Sequence, residues 1–489
     1  MVAVDLGSSA VVVAVAERRE EDGKIALKAL VSKPVQGVNA GRIENIESVS
    51  QVLEEALAEA GDRADIRITE AYAGISGSFV RCARHTDFVY VADPQNGVSQ
   101  SDVASLFDRM RNIQAPDDEV IMERIPQQYL IDDEQEATNP IGAFGQKLAS
   151  TFNFLLCMKT PIQRLELALK RVGVRLAGTI PNPLAVADAV LTPDEKEEGV
   201  AVIDIGAGVT DVTVYYRNVV RYAASIPIGA SAINQDIRTM GVPERHVEDL
   251  KQQYGSAVAE RVSEEKMIRV NGRNSRESKN IMLRNLATAI EARAMDIIDY
   301  VKEELKISGY ADKLAYGLVL TGGSARLKDL DELFRRETGM EVRVATPEAV
   351  LCEESQPMAA DPACSTVIGL LLRGKGVQYV QGRDPRPQPA AATTKAAAAP
   401  AVPQPQPTPT PAPARPERPA PPKPAEPAKP APQPQPAPTP APQEADYEED
   451  YADETDDETE GTKSSFWGGI RERVDKWTKI FESPGDEEI

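Results

Sequence analysis

Cysteine, histidine and tryptophan are scarce in this 489-residue chain, with four, two and two copies. The cysteines, Cys82, Cys157, Cys352 and Cys364, nowhere form a C-x-x-C pair, so they read as reduced thiols rather than a redox or metal motif. Two histidines, His85 and His246, are too few for a histidine-based zinc site, and they argue against a Ser-His-Asp hydrolase. No apolar run approaches the ~20 residues of a membrane-spanning helix. No G-x-x-x-x-G-K-[ST] run is present, which excludes a P-loop. Positive charge is also in short supply. Lys and Arg total 55 against 76 Asp and Glu, a net charge of −21. That balance argues against nucleic-acid binding by a basic surface, and no nucleic-acid partner is expected. The chain opens on a strand, so the expectation is that no signal peptide precedes it and that the protein is cytoplasmic.

What is present centres on Val200 to Tyr216, VAVIDIGAGVTDVTVYY. The run Val200 to Ile203 reads as a buried strand ending on Asp204, and Thr210 to Tyr216 as its hairpin partner. The glycines Gly206 and Gly208 suit a tight turn whose N–H groups face an anion. An acidic residue at the mouth of such a turn makes sense when a cation sits between carboxylate and phosphate, as Mg²⁺ does. A dinucleotide fingerprint is excluded. Asp211 stands where the third glycine belongs, and a hairpin replaces the required helix.

The same device opens the chain. Met1 to Val4 is a short apolar strand, Asp5-Leu6-Gly7-Ser8-Ser9 the turn, and Val11 to Val15 the return. Repetition over this separation implies two related domains. A third strand runs into Leu320-Thr321-Gly322-Gly323-Ser324. Two Asp-Gly hairpins and a late strand-Gly-Gly turn resemble the actin-like ATPase superfamily. There, two ribonuclease-H-like halves close on ATP, with two phosphate motifs and one adenosine motif.

Other elements follow from periodicity and turn chemistry. Lys24 to Val31 continues the first sheet. Ile46 to Ala60 is a helix ended by Gly61. Ile66 to Ala73 is a strand. Phe79 to about Leu156 interrupts the domain with a strand (Asp87 to Val91), a helix from Ser101 and a mixed segment. Phe152 to Met158 is a strand. Thr160, Pro161 and Gln163 predict a capped helix start, with Ile162, Leu165, Leu169 and Val172 buried and Gly173 closing it. Val219 to Ile228 is a strand, Ala232 to Ile307 is mostly helical, and Ser365 to Leu372 is a closing helix. Of the 38 prolines, most fall between Asp384 and Gln443, so Val377 to Gln443 should be extended and solvated. The acidic run Glu444 to Glu460 repels itself.

The last feature lies at Ser465 to Ser483. Phe466, Trp467, Ile470, Val474, Trp477, Ile480 and Phe481 recur at helical spacing, with Arg471, Arg473, Lys476 and Lys479 around the other face. Both tryptophans of the chain are here. The pattern reads as a membrane-surface helix, or else as a helix that docks in a protein groove.

The chain resembles the FtsA family of bacterial cell-division proteins. The resemblance rests on Asp5-Leu6-Gly7-Ser8-Ser9; Ile125-Pro126-Gln127 with Tyr129; Asn139-Pro140 with Gly142 and Gly145; and Asp204-Ile205-Gly206, Gly208 and Thr210-Asp211. Leu320-Thr321-Gly322-Gly323 and Ser365 to Leu370 complete it. It covers residues 1 to about 376. It implies an α/β, actin-like ATPase fold: a first domain at 1–78, 157–195 and 360–376, an inserted subdomain 1C at 79–156, a second domain at 196–230 and 308–359, and a subdomain 2B at 231–307. A linker at 377–464 and a membrane-targeting helix at 465–483 follow. ATP and Mg²⁺ are the implied cofactors. Asp5, Gly7, Ser8, Ser9, Asp204, Gly206, Gly208 and Thr210 would face the phosphates, with Asp5 and Asp204 holding the metal through water. Gly322 and Gly323 would approach the nucleoside. Glu291 and Arg293 are either nucleoside contacts or a solvated pair. No catalytic residue is assigned; Asp211 either supports the second turn or orients water. Ala10 stands where relatives often carry Lys, pointing to a weak ATPase at most. Ala207 replaces a common Gly but keeps its N–H.

The implied role is an assembly protein that forms protofilaments on anionic lipid at the cytoplasmic face of the membrane, at the division site. It would bind the C-terminal tail of FtsZ and recruit later division proteins. A pilus-assembly adaptor and a small-molecule kinase of the same fold are the alternative readings.

Overall fold

The computed structural model describes residues 1–271 and 278–374. The expected linker and the apolar stripe from Phe466 to Phe481 lie outside the described residues. The first fifteen residues are mostly β-branched or alanine on either side of one turn, and they pair as predicted. Strand β1 (Val2–Leu6) lies antiparallel to β2 (Ala10–Arg18), with Leu6 opposite Val11. β3 (Ile25–Pro34) adds to the far side of β2, and a short ribbon follows, β4 (Val38–Asn39) and β5 (Arg42–Ile43).

Helix α1 (Ile46–Ala64) is capped by the Asn45 side chain, which accepts from the Ser48 N–H. It runs past Gly61 and ends on Asp65, in the left-handed region at φ 52°. Gly61 serves a close approach instead: a Cβ there would sit 2.8 Å from the Ile66 carbonyl oxygen. β6 (Glu70–Ile75) then joins β1 in parallel, starting four residues later than expected.

The interruption has its own antiparallel sheet. It comprises β7 (Val80–Tyr90), α2 (Gln100–Arg111), β8 (Glu119–Ile131), β9 (Gln135–Ala137) and β10 (Lys147–Met158), in the order β7-β10-β8-β9. Leu106, Ile131 and Leu148 form one small core, and Met110, Phe152, Phe154 and Leu156 another. The strand expected at Phe152 to Met158 is thus the second half of β10, inside this sheet. α3 (Lys159–Arg171) leaves β10 directly, with Met158 still extended. Thr160 therefore already lies in the helix, and the predicted capping box does not form. Leu165 and Leu169 are buried as expected.

β11 (Arg175–Pro181) pairs in parallel with β6, and α4 (Asn182–Val190) and α5 (Pro193–Glu198) lead into the second half. There β12 (Val200–Ile205) and β13 (Thr210–Tyr216) form the central hairpin, followed by β14 (Val219–Ile226). The stretch expected to be mostly helical holds α6 (Ala230–Thr239), α7 (Glu244–Tyr254) and α8 (Leu283–Ser308). It also holds a hairpin, β15 (Met267–Asn271) with β16 (Ser278–Met282). β17 (Leu318–Thr321), α9 (Leu330–Thr338), β18 (Val342–Val344) and α10 (Ser365–Arg373) complete the described chain.

The internal repeat now has a structural meaning. One five-stranded sheet runs β11-β6-β1-β2-β3 and the other β18-β17-β12-β13-β14. Strand for strand the two orders correspond. Helices α1 and α3 cover the outer face of the first sheet, and α8 and α9 that of the second. Between the sheets, Leu184, Ala185, Val367, Ile368 and Leu371 of α4 and α10 pack on Ala3 and Ala14 from one side and Val202 and Val319 from the other. A Cβ at Gly369 would lie 1.9 Å from the Ala185 carbonyl oxygen, so these two helices meet backbone to backbone. Pairing the sheets this way sets their hairpin turns face to face.

Candidate functional site

The two glycine turns face each other across a cavity of about 730 Å³, within the range of roughly 300–1,000 Å³ typical of small-molecule clefts. Each turn is closed by the same bond. Gly7 N–H donates to the Ala10 carbonyl at 3.0 Å, and Gly206 N–H to that of Val209 at 2.9 Å. The turns nearly touch: a Cβ on Gly208 would lie 2.4 Å from Ser8 Oγ. Gly7, Ser8, Ser9, Gly206, Ala207 and Gly208 all line the cavity.

Three carboxylates meet at its floor. Asp5 Oδ1 accepts from Asn182 Nδ2 at 3.3 Å, and Asp204 Oδ2 from Thr366 Oγ1 at 2.9 Å. Asp211 Oδ1 accepts from two hydroxyls, Ser76 at 2.6 Å and Ser225 at 2.5 Å. Burial pushes all three toward the protonated form. Asp5 rises to about 7, through burial and then the charge of Asp204, with the Asn182 amide opposing. Asp204 rises to about 6 by burial against the Thr366 hydrogen bond. Asp211 rises to about 8, through burial and then Asp204, with Ser225 and Ser76 opposing. Packed carboxylates that resist ionisation are an arrangement a cation would relieve.

The fit to Mg²⁺ can be tested on the donor set. Among the described residues no group of three His, Cys, Asp or Glu stands ready to ligate a metal directly. The carboxylates thus suit a cation that keeps its waters, as Mg²⁺ does. Asn182 Oδ1, buried in the same wall, has no hydrogen-bond partner among the protein atoms and offers an acceptor there.

The far wall is made by α6, α7, α8 and the third turn. Lys251 Nζ donates to Asn234 Oδ1 and Glu248 Oε2, both at 2.8 Å, and Asn234, Glu248, Lys251 and Gln252 line the cavity. Glu248, Lys251 and Gln252 stand at i, i+3 and i+4 and so share one side of α7, with Lys251 buried beside Val247 and Leu250. Gly322 has φ +85°, and a Cβ there would meet Asp204 Oδ1 at 2.1 Å. Gly323 is different: its Cβ would make only ordinary contacts, 3.6 Å to Ala363 and 3.7 Å to Arg326, which also lines the cavity.

Three expected site residues stand elsewhere. Thr210 is fully buried and its hydroxyl donates to the Ile228 carbonyl, away from the cavity. Side chains alternate along a strand, so with Asp211 on the cavity side Thr210 points away. Glu291 accepts from the Ala259 N–H and pairs with Arg336, and Arg293 pairs with Asp236 and Asp296. Neither lines the cavity; α8 reaches that wall through Ala294 and Ile297, beside α7. Ser76, Asn182, Ser225, Glu248 and Lys251 enter the site without having been singled out. Asn182-Pro183 after an apolar strand and the polar face of α7 were readable signals. The two serines carried none.

Comparisons with known proteins agree with this architecture. The family model "Cell division protein FtsA" matches residues 201–369, and "SHS2 domain inserted in FTSA" matches 77–156. The cell division protein FtsA of Pseudomonas aeruginosa is 31% identical over 375 residues, covering 76% of this chain and 89% of that protein. That of Escherichia coli K12 is 28% identical over 383 residues, covering 77% and 90%. Among solved structures, the PilM-PilN type IV pilus biogenesis complex superposes with a TM-score of 0.53 at 17% identity, over 76% of this chain and 98% of that one. On this evidence the chain belongs to the FtsA family of cell-division proteins and carries an actin-like ATPase fold.

Proposed function

We propose that the cleft binds Mg²⁺-ATP and that this cell-division protein assembles at the membrane to hold FtsZ filaments there. The observation that carries the reading is the pair of turns with matched closing bonds, facing each other over buried carboxylates. The N–H groups of Ser8 and Ser9 on one side, and of Ala207 and Gly208 on the other, would donate to phosphate oxygens, while those of Gly7 and Gly206 hold the closing bonds of their turns. Asp5 and Asp204 would hold the cation through water, and Asp211 would support the second turn. Mg²⁺ would supply the charge that offsets carboxylates and phosphates. Gly322 and Gly323 would lie along the adenosine, with Arg326, Glu248 and Lys251 around it.

The side chains lining the turns are neutral or acidic, so no cationic side chain on them would add to the N–H groups and the cation in stabilising charge on a transferred phosphoryl group. The protein is therefore read as a nucleotide-dependent assembly protein with weak hydrolysis at most. The segment 79–156, with its separate small cores, is the proposed subunit contact within protofilaments. Subdomain 2B, 231–307, is the proposed receiver of the FtsZ tail, and later division proteins are further partners. Among the described residues no helix is long and apolar enough to cross a membrane. Attachment to anionic lipid is assigned to the stripe from Phe466 to Phe481 with its basic flank.

Electron microscopy of the protein on a lipid monolayer with ATP tests the whole reading: filaments that need both ATP and residues 465–489 are expected. Gly323→Val should weaken ATP binding without unfolding the protein, since its Cβ has room. Trp477→Glu should release the protein from anionic liposomes and leave ATP binding intact. Flotation equal to that of the parent would remove the stripe as the anchor.

A further inference from the structure

Ser76 and Ser225 donate to the same oxygen of Asp211, but they come from different halves of the molecule. Ser225 sits on β14 directly opposite Asp211 in the ladder, within one sheet. Ser76 follows β6 of the other sheet, 135 residues away in sequence. Its bond therefore crosses the floor of the cleft.

The segment that carries Ser76 has little slack. A Cβ at Gly41 would fall 1.8 Å from the Ser76 carbonyl oxygen, so the loop of the β4–β5 ribbon bears directly on it. Gly77 follows at φ +146°, where a Cβ would meet the Phe79 ring at 2.6 Å and the Ala40 carbonyl oxygen at 2.8 Å. The Val80 N–H then bonds back to the Gly77 carbonyl at 2.8 Å, and β7 begins. The inserted sheet is thus rooted four residues from the crossing bond. It grips β14 a second time: Gln127 Nε2 donates to the Val220 carbonyl at 2.9 Å, and Asn153 Nδ2 to that of Arg221 at 2.7 Å.

We propose that Ser76 is a positioning residue that latches the two halves across the cleft floor, holding Asp211 in place when they are closed and slowing release of the bound nucleotide. Opening the cleft moves the sheet carrying β6 away from the sheet carrying β13, and that motion must break the Ser76–Asp211 bond. The bond from Ser225 travels with Asp211 and survives. The bond is short, at 2.6 Å, and its loss is felt where the two states differ in making it. Because β7 starts beside Ser76 and β8 and β10 hold β14, the same latch ties cleft closure to the root of the insert.

The inference rests on the reading that the cleft binds nucleotide, and the test separates the two. The full chain is loaded with Mg²⁺ and a fluorescent ATP analogue, and release is followed by stopped flow on dilution into unlabelled ATP. Ser76→Ala should release about tenfold faster than the parent, and Ser225→Ala, which loses its own bond to that oxygen and only the longer 3.2 Å contact with Ser76 across the cleft, about twofold. Ser76→Cys is nearly isosteric and a poor donor. It should behave as Ser76→Ala does and stands in for it should the alanine variant not fold. Equal acceleration by Ser76→Ala and Ser225→Ala, or parental release from both Ser76 variants, overturns the latch. A parent protein that never takes up the analogue overturns the reading of the cleft, and the latch with it.

Discussion

The two hairpin turns are the same device in different surroundings. At Asp5 the turn leans on little. Asp5 is half-buried, takes one long hydrogen bond from Asn182, and is followed by Ser9, which is exposed. At Asp204 the turn is built into the fold. Asp204 is buried beneath Gly322 and takes a hydrogen bond from Thr366 at the start of α10. The Gly206 carbonyl accepts from Ala230 N–H and Ser324 Oγ, and the Ala207 carbonyl accepts from Ser231 N–H, so α6 and the third turn clamp the loop. The difference teaches that a repeated motif need not share its burden equally. The second turn is preorganised by three elements. The first is freer to adjust to what binds.

The carboxylates give the sharpest way to break that comparison. Asp204→Asn should weaken Mg²⁺-ATP binding about a hundredfold, and Asp5→Asn about tenfold, because only the first is held rigidly, beneath Gly322 and by Thr366. Calorimetry that finds the two equal would mean that both turns carry the cation alike. A smaller effect is expected from the glycines. In Gly208→Ala the new methyl runs into Ser8 and should hold the turns apart, costing about tenfold in ATP affinity. In Gly7→Ala the methyl meets only its own turn, with the Ala10 oxygen 3.0 Å away, so a fewfold loss is expected. A larger loss from Gly7 than from Gly208 would reverse the ranking of the turns.

The smallest effect is on pH dependence. Asp5, Asp204 and Asp211 hold protons more tightly in the folded chain, at about 7, 6 and 8, than the usual carboxylate value of 3.8. The folded state therefore binds more protons than the unfolded one between those limits. Their contribution is fully present below about pH 4 and is lost as the pH rises through about 8. In denaturant titrations the nucleotide-free protein should lose stability gradually over that window, on top of what its other groups do. Mg²⁺-ATP, by offsetting the ionised carboxylates, should stabilise more at pH 8 than at pH 5. Asp204→Asn should flatten the slope more than Asp5→Asn, since the Asp204 charge is what also raises both neighbours. A slope unchanged by either substitution would place the titrating groups elsewhere.

Much of the site could be read in the chain because turns are local. Asp5 to Ser9 and Asp204 to Gly208 take their shape from glycines and from the β-branched runs beside them, and a repeated local device shows in one dimension. Thr210 failed for a reason also present in the sequence, since strand alternation places it opposite to Asp211. Glu291 and Arg293 failed because a charged pair on a long helix has no local mark of what it faces. Here the partners are Arg336, Asp236 and Asp296. Gly61 was misread as a stop because its tight packing against the Ile66 carbonyl is a contact that no pattern encodes.

The sequence by itself determined two hairpins of one design, a third glycine turn, an inserted segment, and an acidic proline-rich tail with an apolar stripe near its end. All of these depend on neighbours within a few residues, where propensity and periodicity act. Only the tertiary structure decided that the two sheets share one strand order and pack through α4 and α10. Only it decided that three carboxylates converge, and that α8 meets the cavity through Ala294 and Ile297 rather than through Glu291 and Arg293. Only it placed the hydroxyl of Ser76 on Asp211 across the cleft. Those facts depend on which side chains meet after more than a hundred residues have been folded between them, and burial, not pattern, sets their charge and their partners.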